Sequence, residues 1–249
     1  MARAAVLGRL IWQLGRVVEL VDETARVRSI VLDLPEWPGH RAGQHVDIRL
    51  TAEDGYQAQR SYSIASAPED ESLVLTVERL DDGEVSPYLA DELRPGDELE
   101  LRGPVGGYFV WEESFGGPLF LVGGGSGIVP FRAMLRHHAA VGSDVPVRML
   151  YSARALHEVI YRDELDRLGA SEEVDVRLTL TREWPEEWDG YRRRIDRALL
   201  EEIAWPAAER PLVYVCGPTG FVELAAGTLV ELGHDPARIR TERFGPTGA

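Results

Sequence analysis

The strongest constraint on the fold of this chain is a change in hydrophobic pattern near its middle. From about residue 118, short apolar runs alternate with segments of helical periodicity. This alternation predicts a parallel sheet with helices on both faces, because parallel strands need long crossover connections. The predicted strands are residues 119–122, 147–151, 174–180, 212–216 and 239–243. The predicted helices are residues 129–140, 161–168, 196–203 and 220–232.

The first hundred residues show a different pattern, with short strands separated by turns that contain Pro and Gly. The better strand candidates are residues 27–32, 46–50, 60–64, 73–79 and 98–102. A short helix is predicted over residues 86–93, with Ser86 as its N-cap and Pro87 at its first position. Many short strands and one helix favour an antiparallel β-barrel. We therefore expect two domains joined at residues 103–117: an antiparallel β-barrel domain (residues 10–108) and an α/β parallel-sheet domain (residues 114–249).

Composition excludes several classes of function. The 249 residues carry a net charge of −15, which argues against nucleic acid and anionic membranes as partners. All 27 basic residues are Arg, so no mechanism can use a Lys. A single cysteine, Cys216, rules out a four-thiolate cluster, and the six His show no zinc spacing, so no metal site is expected. No apolar run approaches membrane-spanning length, and MARAAVLGRLIWQLG lacks the apolar core of a signal peptide; a cytoplasmic protein is expected.

A four-residue segment, RSYS at residues 60–63, combines a fixed cation, an aromatic ring and two hydroxyls. In a strand, Arg60 and Tyr62 share one face, while Ser61 and Ser63 share the other. A guanidinium grips phosphate with two parallel hydrogen bonds, and a tyrosine ring can cover a planar heterocycle, so one flavin nucleotide would engage both residues. The alternative is an edge strand with ordinary surface polar residues, and these four residues alone do not separate the two.

A glycine-rich loop follows the first predicted strand of the parallel sheet. Residues 123–127 read GGGSG and lead directly into a predicted helix. Glycines let the backbone approach a ligand closely, and the N–H groups that begin a helix form an anion site. A dinucleotide pyrophosphate fits this arrangement at the first strand-to-helix turn of such a sheet. The alternative interpretation is a tight turn whose glycines serve packing only.

Two further segments fall at the carboxyl ends of predicted strands, the edge where open parallel sheets bind ligands. The first is CGPTG at residues 216–220, in which Gly-Pro opens room beside the sulfur of Cys216; a small buried residue is the alternative. The second joins Thr181-Arg182-Glu183 with three arginines at residues 192–194. These arginines suit the 2′-phosphate of NADP, and a solvated, ion-paired loop is the equal alternative.

The segments RSYS, GGGSGIVP and CGPTG, in this order, resemble the ferredoxin–NADP reductase family of flavoenzymes, in a form without a 2Fe–2S domain. The resemblance extends from about Trp12 to Phe244. It implies that the barrel binds FAD, that the parallel-sheet domain binds NADP(H) or NAD(H), and that the flavin lies between them. Thr181-Arg182-Glu183 resembles the Ser-Arg-Glu segment by which plant-type reductases choose NADPH, but their Lys-x-Tyr segment is matched only by Tyr191 and the arginines. The choice between NADPH and NADH stays open.

The resemblance also implies roles for individual residues. Three would take part in the chemistry: Ser63 near flavin N5, Cys216 beside the nicotinamide, and Glu242 orienting the ring. Phe244 would cover the second flavin face. The implied flavin-binding residues are Arg60, Ser61, Tyr62, Ser63, Val77, Glu78, Arg79, Glu84, Val85 and Ser86. The implied nucleotide-binding residues are Gly124, Gly125, Ser126, Gly127, Thr181, Arg182, Arg192, Cys216, Gly217 and Pro218.

The function expected on this basis is hydride transfer from NAD(P)H to FAD, followed by transfer of single electrons to a separate protein acceptor, a ferredoxin or an oxygenase component. Two alternatives remain open. The first is an NAD(P)H reductase of small acceptors such as quinones or free flavin. The second is a non-catalytic subunit that only relays electrons.

Overall fold

The computed structural model describes residues 10–170 and 174–245, which contain two sheets of different kinds. The first sheet is antiparallel, with strand order β4-β3-β6-β1-β2-β5. Its two edge strands meet through an Ile64–Leu75 bridge and a hydrogen bond of 2.7 Å from Ala65 N to Val74 O, so the sheet curls toward closure. The six strands are β1 (Trp12–Thr24), β2 (Val27–Asp33), β3 (His45–Thr51), β4 (Gln57–Ser63), β5 (Leu73–Glu78) and β6 (Glu98–Val105).

Alternating apolar residues of these strands fill the barrel interior. Ile30, Ile48, Leu75 and Leu101 are fully buried there, and burial of each such side chain contributes about 1.5–3 kcal/mol. A single π-helical turn (Tyr88–Glu92) contributes further buried apolar side chains to this core.

The structure corrects one detail of the predicted helix at residues 86–93. Ser86 and Pro87 are both helical and lead into the π-helical turn, so Ser86 lies within the helix and does not cap it. The Ser86 hydroxyl instead accepts a hydrogen bond of 3.0 Å from Leu80 N and closes the preceding loop. A serine hydroxyl can accept from several nearby backbone N–H groups. A Ser-Pro pair therefore does not by itself identify the serine as an N-cap.

Strand β1 was not among the sequence candidates, although it is the longest strand described. It pairs with both β2 and β6. Its pairing with β2 shifts register between Val17 and Glu19 and again between Asp22 and Thr24. A bulge places an extra residue in one strand and reverses the alternation beyond it. The period of two is therefore lost from the sequence.

The second sheet is parallel, with strand order β11-β10-β7-β8-β9. The order reverses between β7 and β10, and such a switch point opens a crevice at the carboxyl ends of both strands. The two-domain fold class predicted from the sequence is confirmed. The strands are β7 (Leu119–Gly124), β8 (Val147–Ala153), β9 (Val174–Leu180), β10 (Leu212–Pro218) and β11 (Ile239–Phe244). The helices are α1 (Val129–Ala140), α2 (Arg162–Ala170), α3 (Arg197–Ile203) and α4 (Thr219–Glu231).

Separate apolar clusters pack the helices against the sheet. Phe131 of α1 and Leu165 of α2 belong to one cluster, whereas Leu199 of α3 and Leu229 of α4 belong to another. The predicted domain limits, residues 10–108 and 114–249, stay predictions, and residues 246–249 lie outside the described part of the chain.

Side chains from the parallel-sheet domain fasten it to the barrel. The Tyr161 hydroxyl donates to Thr76 Oγ1 at 2.6 Å, and Arg136 pairs with Asp70 at 2.8 Å. Tyr161 has a φ of 59°, a left-handed conformation that is uncommon for a tyrosine, so helix α2 begins after it and not at it as predicted. These two contacts cross the boundary between the barrel and the parallel-sheet domain.

Across residues 10–170 and 174–245, no helix has both the length and the apolar character needed to span a membrane. In the same ranges, no group of three or more His, Cys, Asp or Glu side chains is placed to hold a metal ion.

Candidate functional site

The glycine loop and the turn after β10 touch at the switch point of the parallel sheet. A Cβ atom on Gly127 would lie 2.2 Å from the carbonyl oxygen of Cys216, so no side chain fits there. Gly125 has a φ of +56°, which favours glycine. Gly124 and Gly217 are also in close contact. The structure thus brings both predicted nucleotide segments to one crevice.

Phe221, at the start of α4, is a cleft residue that the sequence did not single out. A Cβ atom on Gly124 would lie 3.1 Å from its ring, and one on Gly217 would lie 2.9 Å from it. The ring therefore covers both glycines where a dinucleotide would approach. Its position directly after CGPTG was the available signal, but an aromatic residue in a helix is as often part of the core.

Cys216 lies between two neighbouring strands of the site. It pairs with Gly123 of β7 and with Glu242 of β11, and it is 2% exposed. Burial raises the pKa of its thiol well above the ordinary value, and the nearby Glu242 carboxylate adds to the shift. The sulfur is consequently a neutral packing group and not a thiolate nucleophile.

Glu242 is the most unusual acid in the cleft. Burial raises the pKa of its carboxyl group to about 7. Its Oε2 atom is buried and has no hydrogen-bond partner within the described residues, which leaves an acceptor that a ligand donor can satisfy. Its Oε1 atom lies 3.9 Å from Nδ1 of His45.

His45 is the second residue that the sequence analysis missed. It begins β3 in the barrel and pairs with Ser63 of β4, so it reaches Glu242 across the cleft from the Ser63 side. Burial lowers the pKa of its imidazole, which favours the neutral ring. A lone His in a strand carries no motif, so only the three-dimensional structure reveals it.

The RSYS segment forms the end of β4. Arg60 is 52% exposed, and its guanidinium lies 2.5 Å from Glu84 Oε2, while Tyr56 donates to Glu84 Oε1 at 2.7 Å. The predicted phosphate-binding cation is thus paired with a carboxylate. Tyr62 is half-buried against the barrel core, and burial raises the pKa of its phenol.

The two serines of this segment differ in their contacts. The Ser61 hydroxyl donates to Asp47 Oδ1 at 2.7 Å, so its donor is already used within the barrel. In the described part of the chain, no hydrogen bond is formed by the Ser63 hydroxyl, which lies at the strand end beside His45. Of the two, Ser63 is therefore the one whose hydroxyl is available to a ligand.

The other predicted flavin-binding segments contain buried valines and polar residues whose side chains form contacts of their own. Val77 and Val85 are fully buried in the barrel core, so only their backbone can reach a ligand. Arg79 forms ion pairs with Asp81 and, at 2.7 Å, with Asp91. The side chain of Glu78 turns toward the other domain and accepts a hydrogen bond of 2.7 Å from the Ser126 hydroxyl.

The predicted 2′-phosphate region lies at the ends of β8 and β9. Thr181 N donates to Ala153 O at 3.0 Å and Arg182 N donates to Arg154 O at 2.9 Å, which places the two strand ends side by side. Arg154 was not among the residues predicted from the sequence. It directly follows β8, at the position where dinucleotide-binding folds distinguish NADH from NADPH. Its guanidinium pairs with Glu158 at 2.7 Å.

Two other predicted residues, Arg192 and Phe244, belong to segments other than the ends of β8 and β9. Arg192 is exposed and donates to the carbonyl of Trp188, in a segment whose Tyr191 bonds to β9. Phe244 is level with Pro218 and packs partly against the core. Its role as a cover for the flavin stays a prediction.

The residues of the cleft fit a flavin and a pyridine nucleotide. A solvent-accessible guanidinium, a half-buried tyrosine ring and an available serine hydroxyl follow one another along β4. On the other side, the orphaned Oε2 of Glu242 suits an amide donor such as the nicotinamide carboxamide. The glycine contacts provide a backbone surface for a pyrophosphate.

Comparison with known proteins agrees with this geometry. Residues 15–110 match the oxidoreductase FAD-binding domain family, and residues 121–227 match the oxidoreductase NAD-binding domain family. The fold and the site therefore define a two-domain oxidoreductase that binds FAD and NAD(P).

Individual relatives narrow this class. The ferredoxin–NADP reductase B of Sorangium cellulosum is 35% identical over 213 residues, covering 82% of this chain and 84% of that protein. The chain belongs to the ferredoxin–NADP reductase family.

Other relatives are longer. The glycine betaine monooxygenase reductase subunit of Pseudomonas aeruginosa is 34% identical over 239 residues, and the chain spans 64% of its length. Among solved structures, the flavohem-like FAD/NAD-binding domain of nitric oxide dioxygenase from Vibrio cholerae superposes with a TM-score of 0.84 at 29% identity. That match covers 94% of this chain and 99% of the other.

Proposed function

We propose that this protein transfers hydride from NAD(P)H to FAD and then passes single electrons to a separate acceptor protein, a ferredoxin or an oxygenase component. The observation that carries the proposal is the meeting of two sets of residues across one cleft. Ser63 and His45 come from the barrel, whereas Cys216 and Glu242 come from the parallel sheet.

The chemistry of the bound FAD is to accept a hydride equivalent and to release electrons singly. The contribution of the protein is mainly orientation, which can supply about 7–11 kcal/mol of a barrier. The Ser63 hydroxyl would hold the flavin edge by a hydrogen bond, and the buried, neutral thiol of Cys216 would pack against the nicotinamide ring. Oε2 of Glu242, which has no partner among the described residues, would accept a hydrogen bond from the carboxamide and so orient the nicotinamide ring.

A protein acceptor is favoured by two observations. The chain has one cysteine, so none of its own residues can form a four-thiolate cluster to receive the electrons. Two of its relatives are described as a reductase subunit of a monooxygenase and as a ferredoxin–NADP reductase. A cytoplasmic location is part of the proposal and is supported by the use of NAD(P)H as reductant.

For the nucleotide, we propose a preference for NADPH. Arg154 at the end of β8 stands where this kind of fold uses a carboxylate for NADH or an arginine for NADPH. Its neighbour Arg182 at the end of β9 adds a second guanidinium on the same edge. Two adjacent cations suit a phosphate monoester.

The acceptor is tested by mixing the flavin-loaded protein and NADPH with either a 2Fe–2S ferredoxin or a small quinone. The proposal predicts rapid, saturable reduction of the ferredoxin. Fast turnover of the quinone with a ferredoxin that stays oxidised would instead identify a reductase of small acceptors. Failure of both reactions, with a flavin that NADPH does reduce, would point to another protein acceptor.

A further inference from the structure

The contact between Glu78 and Ser126 joins the barrel to the glycine loop of the nucleotide-binding domain. Glu78 is the last residue of β5, and its Oε2 atom accepts a hydrogen bond of 2.7 Å from the hydroxyl of Ser126. Ser126 lies between Gly125 and Gly127, in the turn that leads into α1. A carboxylate from one domain is therefore held at the proposed anion site of the other.

The charge of this carboxylate is not neutralised by a neighbouring cation. Within residues 10–170 and 174–245, no Arg or His forms an ion pair with Glu78. The adjacent Arg79 is directed away from it, toward Asp81 and Asp91. Glu78 is only half-buried, so solvent weakens its field, but the carboxylate still presents a negative charge to the loop.

A pyrophosphate bound to this loop would find the Ser126 hydroxyl already donating to Glu78 and would lie near the negative charge of the Glu78 carboxylate. A serine hydroxyl has one proton to donate, and in this arrangement that proton is given to Glu78. Two anions within a few ångströms repel each other, and the repulsion is screened by salt over a Debye length of about 10 Å at 0.1 M ionic strength.

We propose that Glu78 is an electrostatic gate on the pyrophosphate subsite: it occupies the Ser126 hydroxyl when no nucleotide is bound and lowers the affinity for NAD(P)H and NAD(P)⁺ alike. This inference rests on the proposed function, since it takes the glycine loop to be the pyrophosphate site. The gate sets affinity without selecting between the two nucleotides, because the pyrophosphate is common to both. Lower affinity also speeds release of the oxidised nucleotide.

The test is Glu78→Gln, which keeps an acceptor for Ser126 but removes the charge. Titration of the flavin-loaded protein with NADP⁺ and with NAD⁺ should show about tenfold tighter binding of both at low salt, with the gain shrinking to about twofold near 1 M salt, where the Debye length is about 3 Å. Glu78→Ala should also tighten binding, so the test does not depend on one variant folding.

A matched control removes a charge at the opposite edge of the parallel sheet. Glu209 is exposed in the turn before β10, and Glu209→Gln should leave both dissociation constants within about twofold. Ser126→Ala should weaken binding more in the Glu78→Ala background than in the native protein, because only the loss of the acceptor frees the hydroxyl to bind phosphate.

The outcomes separate the gate from the function on which it rests. Native protein that binds nucleotide while both Glu78 variants bind it equally or more weakly would overturn the gate and leave the proposed function intact. If neither the native protein nor any variant binds either nucleotide, the proposed function fails and the gate with it.

Discussion

His45 Nδ1 and Glu242 Oε1 lie 3.9 Å apart, on strands that belong to the two different sheets. Burial raises the pKa of Glu242 to about 7 and lowers the pKa of His45, so at neutral pH His45 favours its neutral form and the Glu242 carboxyl group is only partly ionised. Neutral groups cost less to bury than an isolated charge does. The cleft is thus lined by a weakly charged pair at the point where the two proposed cofactors meet.

The first prediction concerns stability of the flavin-free protein as a function of pH. The unfolded carboxyl group of Glu242 ionises near its ordinary pKa of 4.5, whereas the folded group ionises near 7. Between these values the folded state binds more protons, so this residue lowers stability as the pH rises. Glu242→Gln should therefore gain stability over the native protein by about 1–3 kcal/mol at pH 8 and by little at pH 4.5.

Thermal unfolding from pH 4.5 to 8.5 measures this difference. His45 has the opposite sign: its lowered pKa favours unfolding at acid pH, and this penalty is relieved as the pH rises from the lowered pKa toward the ordinary value of 6.5. His45→Gln should thus gain stability mainly below that value. A gap between native and Glu242→Gln protein that does not change with pH would contradict the burial of this carboxyl group.

The second prediction separates the two serines of β4. Ser63→Ala should slow reduction of the bound flavin by about 10–100-fold, with little change in nucleotide affinity, because positioned hydrogen bonds act on the reacting atoms. Ser61→Ala is the matched control: it removes the same hydroxyl two residues earlier, where it is bonded to Asp47. Stopped-flow absorbance gives both rates. Equal rates for the two variants would remove Ser63 from the mechanism.

The third prediction concerns the ion pair of Arg60 and Glu84. Arg60→Ala should weaken flavin binding by about 10–100-fold, since a charge-assisted hydrogen bond contributes about 1.5–3 kcal/mol. Glu84→Gln should bind flavin as well as the native protein or better, because Arg60 no longer has a competing carboxylate. Equilibrium dialysis of released and added FAD measures both. Loss of flavin from Glu84→Gln alone would mean that this carboxylate is itself a ligand.

The fourth prediction addresses nucleotide choice. Arg154→Ala and Arg182→Ala should each raise the KM for NADPH by about tenfold or more, and that for NADH by less than about threefold, because only NADPH carries the 2′-phosphate. Arg177→Ala is a suitable control, since this residue pairs with Asp175 near the other end of β9. Steady-state kinetics with both nucleotides decide the matter. Equal effects on both would leave the arginines without a role in selection.

The elements predicted most accurately from the sequence are those whose pattern lies within one short, continuous segment. Strand β9 and helix α1 have the predicted limits, residues 174–180 and 129–140. The glycine loop was recognisable from its glycines and its place between a strand and a helix, and the structure adds that Gly127 lies too close to Cys216 for any side chain. These features are encoded within a few neighbouring residues.

What the sequence could not supply depends on contacts between distant segments. Strand β1 was missed because its bulges break the alternation. His45 and Phe221 carry no motif and become site residues only through Glu242, Gly124 and Gly217. Glu78 lies in a segment that resembles a flavin-binding one, yet its side chain contacts the nucleotide loop of the other domain.

The most direct test of the account is an anaerobic titration of the flavin-loaded protein with NADPH and, separately, with NADH. Hydride transfer across the cleft predicts that one equivalent of nucleotide bleaches the visible band of one flavin, with NADPH acting faster. A protein that takes up no flavin, or one whose bound flavin stays oxidised with both nucleotides, would contradict the central claim.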